Sequence, residues 1–255
     1  MDYGFQGRVA LVTGTASQVG MGNAICLTLA KEGCDVVSAD MDFDGANQTA
    51  LAVRTLGREA LALKVDVAKS FEVDEMTKII LKKFGRIDIL VNTAGGNFGL
   101  GVPFLESKQE IWEKDFAVNL YGTMNCAKAV LPNMVEHKYG KIINFSSVGA
   151  KSGGPSSYGA SKAAVLAFTR GLATQFGPSG INVNAIAPGI LKTKFFTGYS
   201  GDRVNKMSED MAARVPLRRI QTVDDVANAV AFLASELSKN ITGQCIQVDS
   251  GLIML

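Results

Sequence analysis

Histidine is nearly absent. The 255 residues hold one, His137, in a polar stretch beside Lys138 with no second His or Cys close by. That excludes a histidine-built metal centre and leaves His137 as a surface residue. Cysteine is scarce too. Cys26, Cys34, Cys126 and Cys245 lie inside apolar patterns without the close pairing of a zinc site or redox motif, so they read as reduced packing residues. Trp112 is the one tryptophan, and with the scattered methionines it reads as core or interface packing rather than the mark of a cofactor. Charge of one sign is missing: 26 basic against 24 acidic residues leave +2, and no basic stripe carries interleaved aromatics, which argues against a nucleic-acid partner. No apolar run approaches the roughly 20 residues that cross a bilayer, because runs such as Ile87 to Val91 are interrupted by Asp or Gly, so no membrane partner is expected. The first strand-like run starts at Arg8, too early for the parts of a secretory leader, and the expected location is cytoplasmic.

Internal repeats, low-complexity tracts and Pro/Ser-rich linkers are also missing, which predicts one domain over residues 1–255. Apolar residues make up 47% of the chain, ample for a sizeable core. Seven short runs rich in Val, Ile and Leu alternate with segments of helical period: Arg8 to Val12, Asp35 to Ala39, Ala60 to Val65, Ile87 to Val91, Lys141 to Phe145, Asn182 to Ile186 and Gln244 to Val248. This rhythm predicts an α/β fold, a doubly wound, seven-stranded parallel sheet flanked by helices, with its ligand crevice at the carboxyl ends of the strands. The rhythm breaks once, at the excursion of about 30 residues from Ile190 to Arg219 before a helix starting near Thr222. Excursions of that length are often lids or binding loops.

After the first strand comes Thr13-Gly14-Thr15-Ala16-Ser17-Gln18-Val19-Gly20-Met21-Gly22, followed by a helical run. Glycine lets the backbone approach a pyrophosphate, and the helix start offers free N–H groups and the positive end of its dipole. The second strand ends at Asp40, about 20 residues on, where a carboxylate can accept from both hydroxyls of an adenine ribose. The same carboxylate repels a 2′-phosphate, and Asp42 and Asp44 add to the repulsion, so the predicted cofactor is NAD. Further on, the strand Lys141 to Phe145 runs into Ser146-Ser147, and eleven residues after Ser147 comes Tyr158-Gly159-Ala160-Ser161-Lys162. The i, i+4 spacing sets Tyr158 and Lys162 on one helix face. A phenol of pKa about 10 is a poor base at neutral pH unless a cation such as Lys162 favours its anion.

On these motifs the chain resembles the short-chain dehydrogenase/reductase family over essentially its whole length, which implies a Rossmann-type fold. The resemblance implies that Tyr158 and Lys162 are the catalytic Tyr and Lys, that Ser147 holds the substrate oxygen, and that Asn119 in Val118-Asn119-Leu120-Tyr121-Gly122 is the fourth catalytic member, ordering a water that joins Lys162 to solvent. It implies cofactor contacts from Gly14, Ser17, Gly20, Met21 and Asp40, with Asp66-Val67 near the adenine. Asn92, Ala94 and Gly95 of Asn92-Thr93-Ala94-Gly95 follow, then Tyr158 and Lys162 again, and finally Pro188-Gly189, Leu191 and Thr193 around the nicotinamide carboxamide. Two departures stand out. Five residues separate Gly14 from Gly20 where the usual family loop has three, and Thr93 replaces an Asn. The longer loop is similar to that of the enoyl reductase branch, but that branch spaces its Tyr and Lys further apart, so the i, i+4 pair indicates interconversion of a secondary alcohol and a ketone.

The excursion carries Phe195, Phe196, Tyr199 and Met207 among Lys192, Lys194, Arg203, Lys206, Arg214, Arg218 and Arg219. An apolar lid face with cations suits a carboxylate or a coenzyme A phosphate. Together with the resemblance of Ala94-Gly95-Gly96-Asn97-Phe98 to acyl-CoA-acting relatives, this makes a hydroxyacyl-CoA or hydroxy acid the preferred small-molecule substrate. Cyclic alcohols, sugars and steroids are the alternative substrates, and a catalytically silent dinucleotide-binding subunit is the alternative of another class. Apolar residues on more than one face of the helices near Ile111 to Glu136 and Ser157 to Phe176 imply, in this family, a homotetramer, and the apolar tail Leu252 to Leu255 agrees.

Overall fold

Strand β1 (Val9–Thr13) is buried along its whole length, which is why it reads as a continuous apolar run rather than an alternating one. Its side chains nevertheless divide by the strand's period of two: Ala10 and Val12 join one core cluster, Val9 and Leu11 the other. The computed structural model describes residues 2–151, 155–191 and 201–254. Seven strands form one parallel sheet, the others being β2 (Asp35–Asp40), β3 (Ala60–Lys64), β4 (Ile89–Asn92), β5 (Gly140–Phe145), β6 (Ile181–Pro188) and β7 (Cys245–Val248). Their order is β3-β2-β1-β4-β5-β6-β7.

Helices α1 (Met21–Lys31), α2 (Phe43–Thr55) and α8 (Val223–Ala234) cover one face. Helices α3 (Ser70–Phe84), α5 (Gly122–Glu136) and α6 (Ser157–Phe176) cover the other. Each starts or stops where the chemistry allows. Asp42 caps α2 through the Gly45 N–H at 3.2 Å, Gly85 ends α3 at φ 73°, and Thr222 and Asp225 form a reciprocal capping box on α8. All seven predicted strands are present, each within a few residues of its expected bounds. The predicted helical stretch from Ile111 to Glu136 is divided: α4 (Gln109–Phe116) meets α5 through one π-helical turn, Ala117–Tyr121. The excursion after β6 folds in part as α7 (Gly201–Ala212). Among the described residues no helix is long and apolar enough to cross a membrane, and no group of His, Cys, Asp and Glu is arranged to hold a metal.

The winding direction reverses between β1 and β4. A crevice opens there at the carboxyl ends of the strands, and the described residues of the glycine loop, Asp40, the segment after β4, Ser147, Tyr158 and Lys162 border it or the strand ends beside it.

Candidate active site

The glycine loop leaves β1 at Gly14, whose φ of 72° and tight contact with the Ala94 backbone leave no room for a side chain. Gly22, one residue into α1, is more constrained: a Cβ there would lie 2.2 Å from the Gly14 carbonyl oxygen. This contact sets the helix start against the strand end. Gly20 occupies the N-cap position without a side-chain cap, and no acid stands in the first turn, so the N-terminal N–H groups of α1 face the crevice unneutralised. Ser17 Oγ is buried without a partner, as is Thr93 Oγ1 across the crevice. An orphaned hydroxyl beside an uncapped helix start, with a second across the crevice, is what a bound polar ligand would satisfy, so the residues present fit the pyrophosphate of a dinucleotide.

The long loop is pinned from behind. Gln18 donates to the carbonyls of Ala16 at 2.9 Å and Gly45 at 3.0 Å, and Asn23 donates to Gln18 Oε1 at 3.2 Å and to Thr49 Oγ1 at 2.9 Å. At the end of β2 the Asp40 carboxylate accepts from the Ala16 N–H at 2.9 Å and the Asp42 N–H at 3.1 Å, which fixes its orientation at the mouth of the loop. Asp66 spends its oxygens locally, capping Ala68 N–H at 3.0 Å, while Val67 packs against Gly122. Asn92 is a structural tie: its amide donates to Asn144 at 2.9 Å, Asn144 donates to Thr169 of α6 at 3.0 Å, and the Ala94 N–H donates to Thr13 at 3.2 Å. Pro188, Gly189, Leu191, Met21 and Gly95 line the crevice, a cavity of about 620 Å³. Thr193 lies outside the described residues, as do Lys192, Lys194, Phe195, Phe196 and Tyr199.

Tyr158 and Lys162 stand one turn apart on α6, the ammonium 5.9 Å from the centre of the phenol ring. Ser156 caps the helix through the Gly159 N–H at 3.3 Å. Gly159 also lets the helix approach the turn that follows β5, since a Cβ would sit 2.8 Å from the Gly149 oxygen. That approach brings Ser147 into hydrogen-bonding contact with Tyr158. Burial pushes the Tyr158 phenol up, while the Ser147 contact pulls it down. Lys162 is 3% exposed and donates from Nζ to the Phe145 carbonyl at 2.9 Å; burial brings its ammonium down to about 8. Asn119 is fully buried in the π turn and takes both backbone groups of Gly96, accepting from its N–H at 3.1 Å and donating to its carbonyl at 2.8 Å. A Cβ on Gly95 would stand 2.8 Å from Asn119 Oδ1 and 3.2 Å from Lys162 Nζ, so Asn119 and Lys162 meet beneath the loop after β4.

The structure therefore brings together all four residues predicted for catalysis. Gly22, Gln18 and Gly159 shape the site and were not singled out by sequence. All three lie within the glycine-loop and Tyr158–Lys162 motifs, but the partners of Gln18 are 27 and 31 positions away, beyond any local pattern.

Comparison with known proteins agrees with this geometry. A family model described as enoyl-(acyl carrier protein) reductase matches residues 14–253. The 3-oxoacyl-[acyl-carrier-protein] reductase FabG of Staphylococcus epidermidis is 37% identical over 253 residues, covering 97% of this chain and 99% of that protein. The (2S)-[(R)-hydroxy(phenyl)methyl]succinyl-CoA dehydrogenase subunit BbsD of Thauera aromatica is 37% identical over 249 residues, 97% of each. Among solved structures, an NAD+-bound xylitol dehydrogenase superposes with a TM-score of 0.87 at 30% identity, covering 97% of this chain and 100% of that one. The chain belongs to the short-chain dehydrogenase/reductase family. Within that family it is an oxidoreductase acting on alcohol and ketone groups, and its cofactor is a nicotinamide dinucleotide.

Proposed function

We propose that this protein is an NAD-dependent dehydrogenase that interconverts a secondary alcohol and a ketone, with a hydroxyacyl-CoA or hydroxy acid as its preferred substrate class. The observation that carries the reading is the contact of Ser147 with Tyr158 one helical turn from the buried Lys162. In this reading Ser147 and Tyr158 both bind the substrate oxygen. Tyr158 Oη takes the alcohol proton in oxidation and returns it in reduction, and Lys162 favours the phenolate. Asn119 holds the floor of the cleft and passes the proton outward by an ordered water. When bound, the dinucleotide supplies the hydride acceptor or donor. Gly14, Ser17, Gly20 and Met21 would hold its phosphates and Asp40 its adenine ribose, with Asp66, Val67, Asn92, Ala94 and Gly95 along the adenosine side. Pro188, Gly189, Leu191 and Thr193 would border the nicotinamide.

The acidic turn of Asp40, Asp42 and Asp44 supports NAD, and the named cofactor of the xylitol dehydrogenase structure points the same way. The acyl class is supported by the names of the two relatives, one a 3-oxoacyl-[acyl-carrier-protein] reductase and one a (2S)-[(R)-hydroxy(phenyl)methyl]succinyl-CoA dehydrogenase subunit. Leu100, Val102, Val148, Met211 and Leu252 give the cleft an apolar wall suited to an acyl chain. We read the chain as one catalytic domain that assembles as a homotetramer. Leu105, 97% exposed, and Met254, 78% exposed, are surfaces such an assembly would cover. The i, i+4 placement of Tyr158 and Lys162 disfavours enoyl reduction, and the intact set of four disfavours a silent subunit.

Rates of NAD-linked oxidation compared across 3-hydroxyacyl-CoAs, cyclic alcohols and sugars test the substrate class. A hydroxyacyl-CoA favoured by at least tenfold in kcat/KM is expected, a difference of about 1.4 kcal/mol in transition-state binding. Equal or better rates on cyclic alcohols or sugars would overturn the class while leaving the reaction type standing.

A further inference from the structure

Asp115 is a fully buried carboxylate on α4 that the reaction as described does not use. An ionised carboxylate inside a protein costs several kcal/mol unless its oxygens are satisfied. Here both are, and by groups from the two walls of the crevice. Oδ1 accepts the Phe98 N–H at 3.2 Å from the loop after β4, and Oδ2 accepts the Ser157 hydroxyl at 2.5 Å from the first turn of α6. The second contact has the length of a charge-assisted bond, O–H to an anionic oxygen. Ser157 directly precedes Tyr158. Asn119, four residues after Asp115, clamps the same loop at Gly96. Two residues from successive turns thus hold one cleft wall, and Asp115 also hydrogen-bonds to the first turn of the helix that carries Tyr158 and Lys162. Its negative charge acts on both groups, favouring the protonated form of each.

We propose that Asp115 is a positioning residue for the Tyr158–Lys162 pair, tying the loop of Phe98 to the start of α6 and holding an anion beside the two proton-exchanging groups. The proposal rests on the functional reading given above for Tyr158 and Lys162. The ties keep the cleft wall at Asn97 to Val102 in register with Tyr158, so that a substrate lying against that wall meets the phenol. The charge raises the pH at which the pair gives up its proton, against the pull of burial on Lys162.

Asp115→Asn separates the two effects. The amide keeps an oxygen for the Phe98 N–H and can donate to Ser157 Oγ, so it preserves the ties and removes the anion. Asp115→Ala removes both. In full-length enzyme oxidising its best alcohol with NAD, Asp115→Asn should leave NADH affinity within about twofold and move the acid limb of the kcat profile to lower pH, since without the anion both groups release protons more readily. Asp115→Ala should lower kcat by roughly tenfold or more through misplacement. Ser157→Ala keeps the charge and loses one tie, so it should lower kcat with the limb unmoved. An Asp115→Asn enzyme whose limb stays at the wild-type pH would overturn the proposal, as would variants whose kcat, NADH affinity and thermal midpoint all fall in proportion. Amide hydrogen exchange decides the case even for an enzyme that oxidises no alcohol, an outcome that defeats the functional reading separately. Exchange at Phe98 and in the first turn of α6 should quicken in Asp115→Ala and hold in Asp115→Asn, and unchanged exchange in Asp115→Ala would overturn the tie.

Discussion

Lys162 donates its ammonium to the carbonyl of Phe145, 2.9 Å away at the end of β5, and thereby fixes the active helix to the strand that delivers Ser147. One contact joins the helix proposed to handle the proton to the strand that leads into Ser147, the proposed donor to the substrate oxygen, and it does so with a buried charge. That combination has consequences for pH, for stability and for which substitutions the site tolerates.

Burial holds Lys162 down to about 8 from an ordinary 10.5. The unfolded chain therefore binds the proton more tightly, so the group's contribution to stability rises with pH from about 8 to 10.5. Below that window the charged form costs the fold about 3 kcal/mol, at about 1.4 kcal/mol for each unit. Lys162→Met removes this cost and leaves the Phe145 carbonyl without its donor, a loss of about 1–3 kcal/mol. At pH 7 the variant should lose turnover while its thermal midpoint stays at or above wild type. A midpoint more than about 5 °C lower would contradict the assignment of a strained, buried cation. Because the Lys162 ammonium favours the phenolate, alcohol oxidation by the wild-type enzyme should rise with pH below about 8 and stop rising as Lys162 loses its charge above it.

Gly22 and Gly171 are both helical glycines, and their surroundings predict opposite outcomes. A methyl at Gly22 meets the Gly14 oxygen at 2.2 Å, whereas Gly171 has nothing within 4 Å. Gly22→Ala should push α1 off the strand end and weaken NADH binding by at least tenfold in a fluorescence titration. Gly171→Ala should bind NADH normally and gain up to about 1 kcal/mol in a urea unfolding curve, from helix propensity alone. Equal NADH affinity in the two variants would show that the glycine loop does not hold the dinucleotide.

In the proposed reading, cofactor choice turns on Asp40. Its oxygens accept from the Ala16 and Asp42 N–H groups and keep further acceptor capacity that a ribose hydroxyl could use. Asp40→Ser should lower the preference for NAD over NADP by about 10- to 100-fold in kcat/KM, corresponding to about 1–3 kcal/mol of lost discrimination. An unchanged ratio, or a wild-type enzyme that prefers NADP, would contradict the NAD reading.

Most of the scaffold was legible in the sequence because strands buried on both faces leave continuous apolar runs, and because recognisable residues stand at or just after the ends of β1, β2 and β5: Gly14, Asp40 and Ser147. Tyr158 and Lys162 were legible from their spacing. Asp115 was not, since on the sequence it is one acid in the charged run Glu113-Lys114-Asp115, and only the packing of α4 against α6 turns it inward. The π turn around Asn119 was likewise hidden. A single extra residue per turn changes which side chain faces the floor without changing the apolar pattern. The Asn92–Asn144–Thr169 tie joins residues 52 and 25 positions apart, a separation that no local pattern marks.

The most direct test is the Tyr158→Phe enzyme, assayed for NADH binding and for NAD-linked turnover of the best wild-type substrate. Removing one hydroxyl should leave NADH affinity within about threefold and cut kcat by about 100-fold or more, the usual scale for losing a general acid–base group. A variant that retains turnover within tenfold of wild type would contradict the claim that Tyr158 exchanges the substrate proton.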